Sequence, residues 1–293
     1  MFWDWIKRTA DFSLYSSPRK LKGLRLLIKS AICTICGKRE AVTRDHIPPQ
    51  GIFSKPLPNN LVTVPACSQC NNSTSAHDEK FKVYLSLYCG QFNPEVNGLI
   101  GSHALPTLEH NQKLNRLLIS SMRPAYLSSS AGIIYERGWA ADWDETSTKI
   151  VLERTVRGLY FHHFNEILGE ETECRISQLD DNNLEKTISI FSKSSKNYIG
   201  ERNEVVYMYA CQKEDPLNSV WIFEFYGVLW FFCHTIPQNL QGKYEFIYRR
   251  KWIPEMLEGQ VLLFSISSPT ILWNKSNKHI FYLLREVGKP ALW

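Results

Sequence analysis

Two C-x-x-C pairs, Cys33-Thr-Ile-Cys36 and Cys67-Ser-Gln-Cys70, stand thirty residues apart in this chain. Four thiolates at that spacing suit two knuckles closing on one tetrahedral zinc ion. In a reducing compartment two disulfides are the poorer alternative, so a structural zinc is expected. It would tie residues 33 and 70 together whatever lies between them. The remaining cysteines, Cys89, Cys174, Cys211 and Cys233, are scattered and read as small buried apolar residues. A zinc ribbon by itself is most often a structural or binding module, so a function must be sought in the residues it encloses.

Those residues read as strand, loop, strand and helix. A short strand ends at Asp45-His46-Ile47 and is stopped by Pro48 and Pro49, since proline has no N–H to give a ladder. A loop rich in Pro and Asn leads to a second strand, Leu61-Val62-Thr63-Val64, and the second knuckle opens a helix. Ser75-Ala-His-Asp78 has the pattern of a capping box with Asp in place of Glu. It predicts a second helix with Phe81, Tyr84, Leu85 and Tyr88 as its apolar stripe.

The order C-x-x-C, Asp45-His46, Asn60-Leu61, C-x-x-C-Asn71 is similar to the zinc-bearing branch of the HNH (His-Me finger) nucleases. The similarity covers Cys33 to about Phe81. It implies a ββα-metal hairpin held by the four cysteines, with Asp45 and Asn71 binding one catalytic divalent cation. By the same resemblance His46 is the general base and Asn60 holds the loop and orients it. The substrate implied is DNA, most simply duplex, left with 5′-phosphate and 3′-hydroxyl ends.

General chemistry supports these residue types. Adjacent side chains on a strand point to opposite faces, so Asp45 can reach a cation while His46 reaches a water. A neutral imidazole accepts a proton near neutral pH. One carboxylate oxygen and one amide oxygen suit Mg²⁺ or Mn²⁺. Each residue also has a plainer reading: Asp-His as a strand end, Asn60 as part of a Pro-Asn-Asn turn, Asn71 as a cap. His77 lies six residues past Asn71, roughly 240° round one helix, and is a further candidate ligand or phosphate contact.

Charge and composition bound the rest. The net charge is +5, yet residues 1–44 hold ten Lys or Arg against three acids, a local +7 that leaves −2 elsewhere. This basic arm, with Lys38, Arg39 and Arg44 as candidate nucleic-acid contacts, would attract a phosphate backbone irrespective of sequence. Its plain alternative is a solvated face. The longest apolar run, Val220 to Ile236, contains Glu224, Gly227 and His234 and is shorter than the roughly 20 residues of a spanning helix. With no membrane span and no signal-peptide pattern at the start, a cytoplasmic location is expected.

At 293 residues the chain suggests about two domains after the arm at 1–30: an HNH unit at 31–90 and a larger α+β domain at 91–293. In the latter, Leu152, Val156, Leu159, Tyr160, Phe164 and Ile167 recur at helical spacing. Strands are expected at 204–210, 220–225, 228–233, 244–249 and 261–266, forming a mostly antiparallel sheet. Gly227 reads as a hairpin turn or bulge, and His162-His163 as a helix-surface or packing pair. The general layout is similar to bacterial HNH proteins with a sizeable α+β region, for which host defence would be a fitting role. A homodimer or a partner subunit would suit the aromatic second domain. Two further functions fit the same residues: an RNA nuclease, and an inactive zinc-stabilised nucleic-acid-binding or scaffold module.

Overall fold

A computed structural model describes residues 32–128, 134–179, 181–191, 194–213, 215–242 and 261–265. Most of the basic arm and the strand expected at 244–249 lie outside them.

The four-cysteine region contains a hairpin. Strands β1 (Thr43–Ile47) and β2 (Val62–Ala66) pair antiparallel, with Asp45 opposite Val64 and His46 opposite Thr63. Side chains alternate: Asp45 and Ile47 are buried, Arg44 is exposed and His46 is half-buried. Helix α1 (Ser68–Ser73) follows directly, then α2 (Ser75–Phe92). The break falls where the sequence suggests, but the capping box does not form. Thr74 is the junction residue, the Ser75 hydroxyl donates to Asn72 O, and the Asp78 carboxylate accepts from Arg154 instead. A buried guanidinium outbids a local backbone amide for that carboxylate.

Nor does α2 keep a single apolar stripe. Phe81, Val83, Tyr84, Leu85, Leu87 and Cys89 are all buried, because elements cover this helix on several sides and a helix enclosed all round needs no polar face. Short helices α3 (Leu105–His110) and α4 (Gln112–Ser120) follow it. Strands β3 (Arg123–Ser128) and β4 (Ile134–Asp142) then pair antiparallel, with β10 (Val261–Ser265) on the other side of β4.

Helix α5 (Glu145–Phe164) is the expected core helix. Asp144 caps it, accepting from Ser147 N at 2.7 Å, and Asn165 ends it in the left-handed region at φ 56°. The helix crosses the β1–β2 hairpin so closely that a Cβ on Gly158 would meet Ile47 Cγ1 at 2.6 Å.

A five-stranded sheet completes the fold, in the order β5 (Glu173–Gln178), β9 (Leu229–Ile236), β8 (Ser219–Phe225), β7 (Val205–Cys211), β6 (Asn197–Ile199). All its pairings are antiparallel. Three of its strands answer to those read at 204–210, 220–225 and 228–233. Between β8 and β9, Tyr226 and Gly227 both take positive φ, 53° and 73°, which is where glycine is needed.

One face of the sheet carries Tyr207, Tyr209, Trp221, Phe223, Phe225 and Phe231. These share one core with Ile47, Val64, Phe81 and the α5 residues Val151, Leu152, Val156 and Leu159. The other face, with Met208, Ile222 and Phe232, takes Leu184 and Ile188 of α6 (Asp181–Ile190). The chain is thus a mixed α+β fold dominated by antiparallel pairing, and its largest core runs unbroken from the hairpin to the sheet. No helix among the described residues is long and apolar enough to cross a membrane.

Candidate functional site

The sulfur atoms of Cys33, Cys36, Cys67 and Cys70 all lie within 4.8 Å of one another. Local backbone geometry builds this cluster. Gly37 takes φ 65° and donates its N–H to Cys33 O at 2.8 Å, the Cys33 N–H reaches Arg39 O at 2.7 Å, and Thr34 N–H reaches Pro65 O at 2.9 Å. In the second knuckle Cys67 caps α1, its sulfur accepting from Cys70 N at 3.4 Å.

Arg39 lies over the cluster, donating from Nε to Cys67 Sγ at 3.1 Å and from Nη2 to Cys70 Sγ at 3.2 Å. Burial opposes charge on Cys67, yet the Arg39 guanidinium and neighbouring donors outweigh it and lower that thiol. Burial wins at Cys70, which is raised. Four crowded free sulfurs with a cation beside them fit a zinc ion, which takes cysteines as thiolates.

The hairpin places Asp45 and His46 on opposite faces of β1. Asp45 is 6% exposed and sits on the covered face. Burial pushes its carboxyl up to about 6, with Arg154 pulling it back and Asp78 pushing it further. Arg154 Nε stands 3.5 Å from Asp45 Oδ2, and neither atom has a hydrogen-bond partner among the described residues. Asn71 Nδ2 donates to Thr43 Oγ1 at 3.1 Å and to Arg44 O at 3.3 Å. A carbonyl oxygen can only accept, so these contacts assign the NH₂ of Asn71 to the strand and leave Oδ1, the atom a cation would use, turned from it.

The other candidates are placed differently. Asn60 bonds residues far along the chain rather than His46. Its Nδ2 donates to Tyr198 O at 3.1 Å and its Oδ1 accepts from Gly200 N at 2.9 Å, so its amide pairs with the edge strand β6 as a neighbouring peptide would. The loop is held twice more: Tyr226 Oη donates to Ile52 O at 2.5 Å and His103 Nε2 donates to Phe53 O at 3.1 Å. His77 Nδ1 lies 3.0 Å from Ser147 Oγ at the start of α5, away from the Asn71 amide's partners. Lys38 is paired with Glu170 and Arg39 serves the cysteines. The third expected nucleic-acid contact, Arg44, is exposed on β1. As cross-strand partners, His46 and Thr63 share a face of the hairpin. Thr63 also borders a cleft of about 430 Å³ with Asn60, His162, Asn197, Tyr198 and Tyr207.

The residue sequence reasoning missed is Arg154, 2% exposed on α5. His163 packs between Tyr207 and Tyr209, its ring nitrogens 2.9 and 3.2 Å from their hydroxyls, with the His162 ring against its edge at 5.1 Å, and burial lowers His163 to about 4. No protein-family model, curated protein or solved structure matches the chain.

Proposed function

We propose that this protein is a metal-dependent phosphodiesterase of the HNH type that cuts DNA, with His46 as general base. The observation that carries the reading is the arrangement of three residues. Asp45 and His46 occupy opposite faces of β1, and Asn71, on the helix directly after β2, is hydrogen-bonded back to that strand. The sequence resemblance supplies the reaction and the placement of these three residues supports it, while Asn60 bonds the β6 edge rather than the base.

In this reading Asp45 and Asn71 hold Mg²⁺ or Mn²⁺ through one carboxylate and one amide oxygen. The cation, when bound, supplies charge stabilisation for the phosphorane and for the leaving 3′ oxygen. His46 takes the proton of the attacking water through a ring nitrogen, and keeping it off the Asp45 face keeps it from ligating. The four cysteines and their zinc fix the strand-to-helix junction that sets Asn71 against β1. Arg44, exposed beside Asp45 in sequence, is the side chain best placed to meet a phosphate.

The test is incubation of the purified chain with supercoiled plasmid and, separately, with an RNA transcript, in Mg²⁺ or Mn²⁺. Nicking by the parent, lost in His46→Ala and in EDTA, supports the reading. Cleavage of RNA alone would move the substrate. The ion pair of Asp45 with Arg154 favours a second reading, a zinc-stabilised module whose acidic site is already neutralised. DNA binding with no cleavage under either metal would support it.

A further inference from the structure

Arg154 sits 109 positions beyond Asp45 in the chain, on the helix that crosses the hairpin, and its nitrogens reach three separate places. Nε faces Asp45 Oδ2 of β1 at 3.5 Å, Nη2 donates to Asp78 Oδ1 of α2 at 2.6 Å, and Nη1 donates to Thr74 Oγ1 at the α1–α2 junction. A guanidinium is planar and forked, so engaging three points fixes their mutual positions in a way a lysine ammonium does not. Two carboxylates with one guanidinium leave a single net negative charge. That balance still attracts a dication, while sparing the fold two unpaired buried acids.

The pair with Asp45 is charge-matched yet open. Asp45 Oδ2 and Arg154 Nε are both buried and neither makes a hydrogen bond among the described residues. The carboxylate is therefore held in place with lone pairs still uncommitted, which is the condition a ligand oxygen needs. Had Arg154 formed a closed bidentate pair with Asp45, both oxygens would be spoken for. Its stronger bonds go to Asp78 and Thr74 instead.

We propose that Arg154 is the positioning residue of the cation site: it fixes Asp45 on β1 against the α1–α2 junction, so that α5 completes a site begun in the zinc hairpin. This rests on reading Asp45 and Asn71 as the cation ligands. Arg154 acts through Asp45 and touches no reacting atom. The opposing account makes Arg154 a resident cation that fills the site, and the two accounts predict opposite changes in metal affinity.

The experiment is a Mn²⁺ titration of the full, zinc-loaded chain, read by loss of the free Mn²⁺ paramagnetic signal, with zinc content and thermal melting recorded for every variant. The parent should bind Mn²⁺ at a site that Asp45→Asn removes. Arg154→Lys keeps the charge but loses the fork, and should weaken Mn²⁺ binding roughly 10-fold or more, as loss of an outer partner of a ligand does, with zinc content unchanged. Cleavage lost in that variant should return in part as Mn²⁺ is raised. Parent-like or tighter binding by a folded Arg154→Lys chain would overturn the proposal. If that variant sheds its zinc, Asp78→Asn decides: it leaves Arg154 and Asp45 in place and should weaken binding by a smaller factor, and unchanged affinity there would overturn the proposal too. A parent chain that binds no Mn²⁺ at Asp45 would sink the proposed function and this role with it, whereas indifference of the variants alone would sink only the role.

Discussion

The Asp45 carboxylate faces the Arg154 guanidinium across 3.5 Å, both groups buried, joining the first strand of the hairpin to a helix from the later part of the chain. Arg154 also holds Asp78, so the two partners are not equivalent. Arg154→Met would strand two carboxylates in a desolvated place and should cost roughly 3–5 kcal/mol, the range for breaking a buried pair. Asp45→Asn leaves Arg154 its bond to Asp78 and should cost clearly less. Urea denaturation of the two variants without divalent cation checks the order, and a larger loss in Asp45→Asn would contradict it.

Two buried groups should respond to pH in opposite senses. Burial raises Asp45 from its usual 3.8 to about 6. Its protonated form is the one the fold favours, so that contribution is present below 3.8 and lost as pH rises through about 6. Burial, helped by Arg175, lowers His234 from 6.5 to about 3. The unfolded chain takes up a proton there that the folded chain refuses, so stability is lost as pH falls from 6.5 towards 3. Its share is at most about 1.4 kcal/mol for each pH unit in that window. Chemical denaturation of the parent and His234→Gln at pH 7 and pH 5.5, with zinc in excess, should show a smaller acid loss in the variant. Equal losses would refute the assignment.

Removing zinc should unfold the knuckles first. Cys33→Ser should lower zinc content below one ion per chain and lower the melting temperature steeply, since structural zinc contributes roughly 10–16 kcal/mol in small knuckle peptides. Arg39→Ala removes the donor to Cys67 and Cys70 and leaves all four sulfurs, so it should keep its zinc but surrender it to a chelator faster than the parent. Metal analysis and a timed chelator competition measure both. Unchanged release from Arg39→Ala would show that its contacts do not support the ion.

What the sequence made legible was local. The knuckle spacing, the strand ending at Ile47, the break before Ser75, the apolar face of α5 and three strands of the large sheet are patterns of a few neighbouring residues, and the structure carries each of them. Arg154 was not legible. It lies two positions from both Leu152 and Val156, on the side of the helix that an apolar stripe assigns to water. It is buried because α5 is covered on that side by the acids of the hairpin and α2. Asn60 was hidden for the same reason: a Pro-Asn-Asn turn announces its own shape, while its partners, Tyr198 and Gly200, lie far along the chain. Strands β3 to β6 were also missed, being short or interrupted by polar residues.

The central claim is that His46 removes a proton from the attacking water, and chemical rescue tests it most directly. His46→Gly would be assayed on supercoiled plasmid in Mn²⁺, with and without added imidazole, after confirming that zinc content matches the parent. The account predicts nicking by the parent, none by the variant alone, and partial return of nicking with imidazole. Cleavage by His46→Gly at the parent rate without imidazole, or a parent that never cuts, would contradict it.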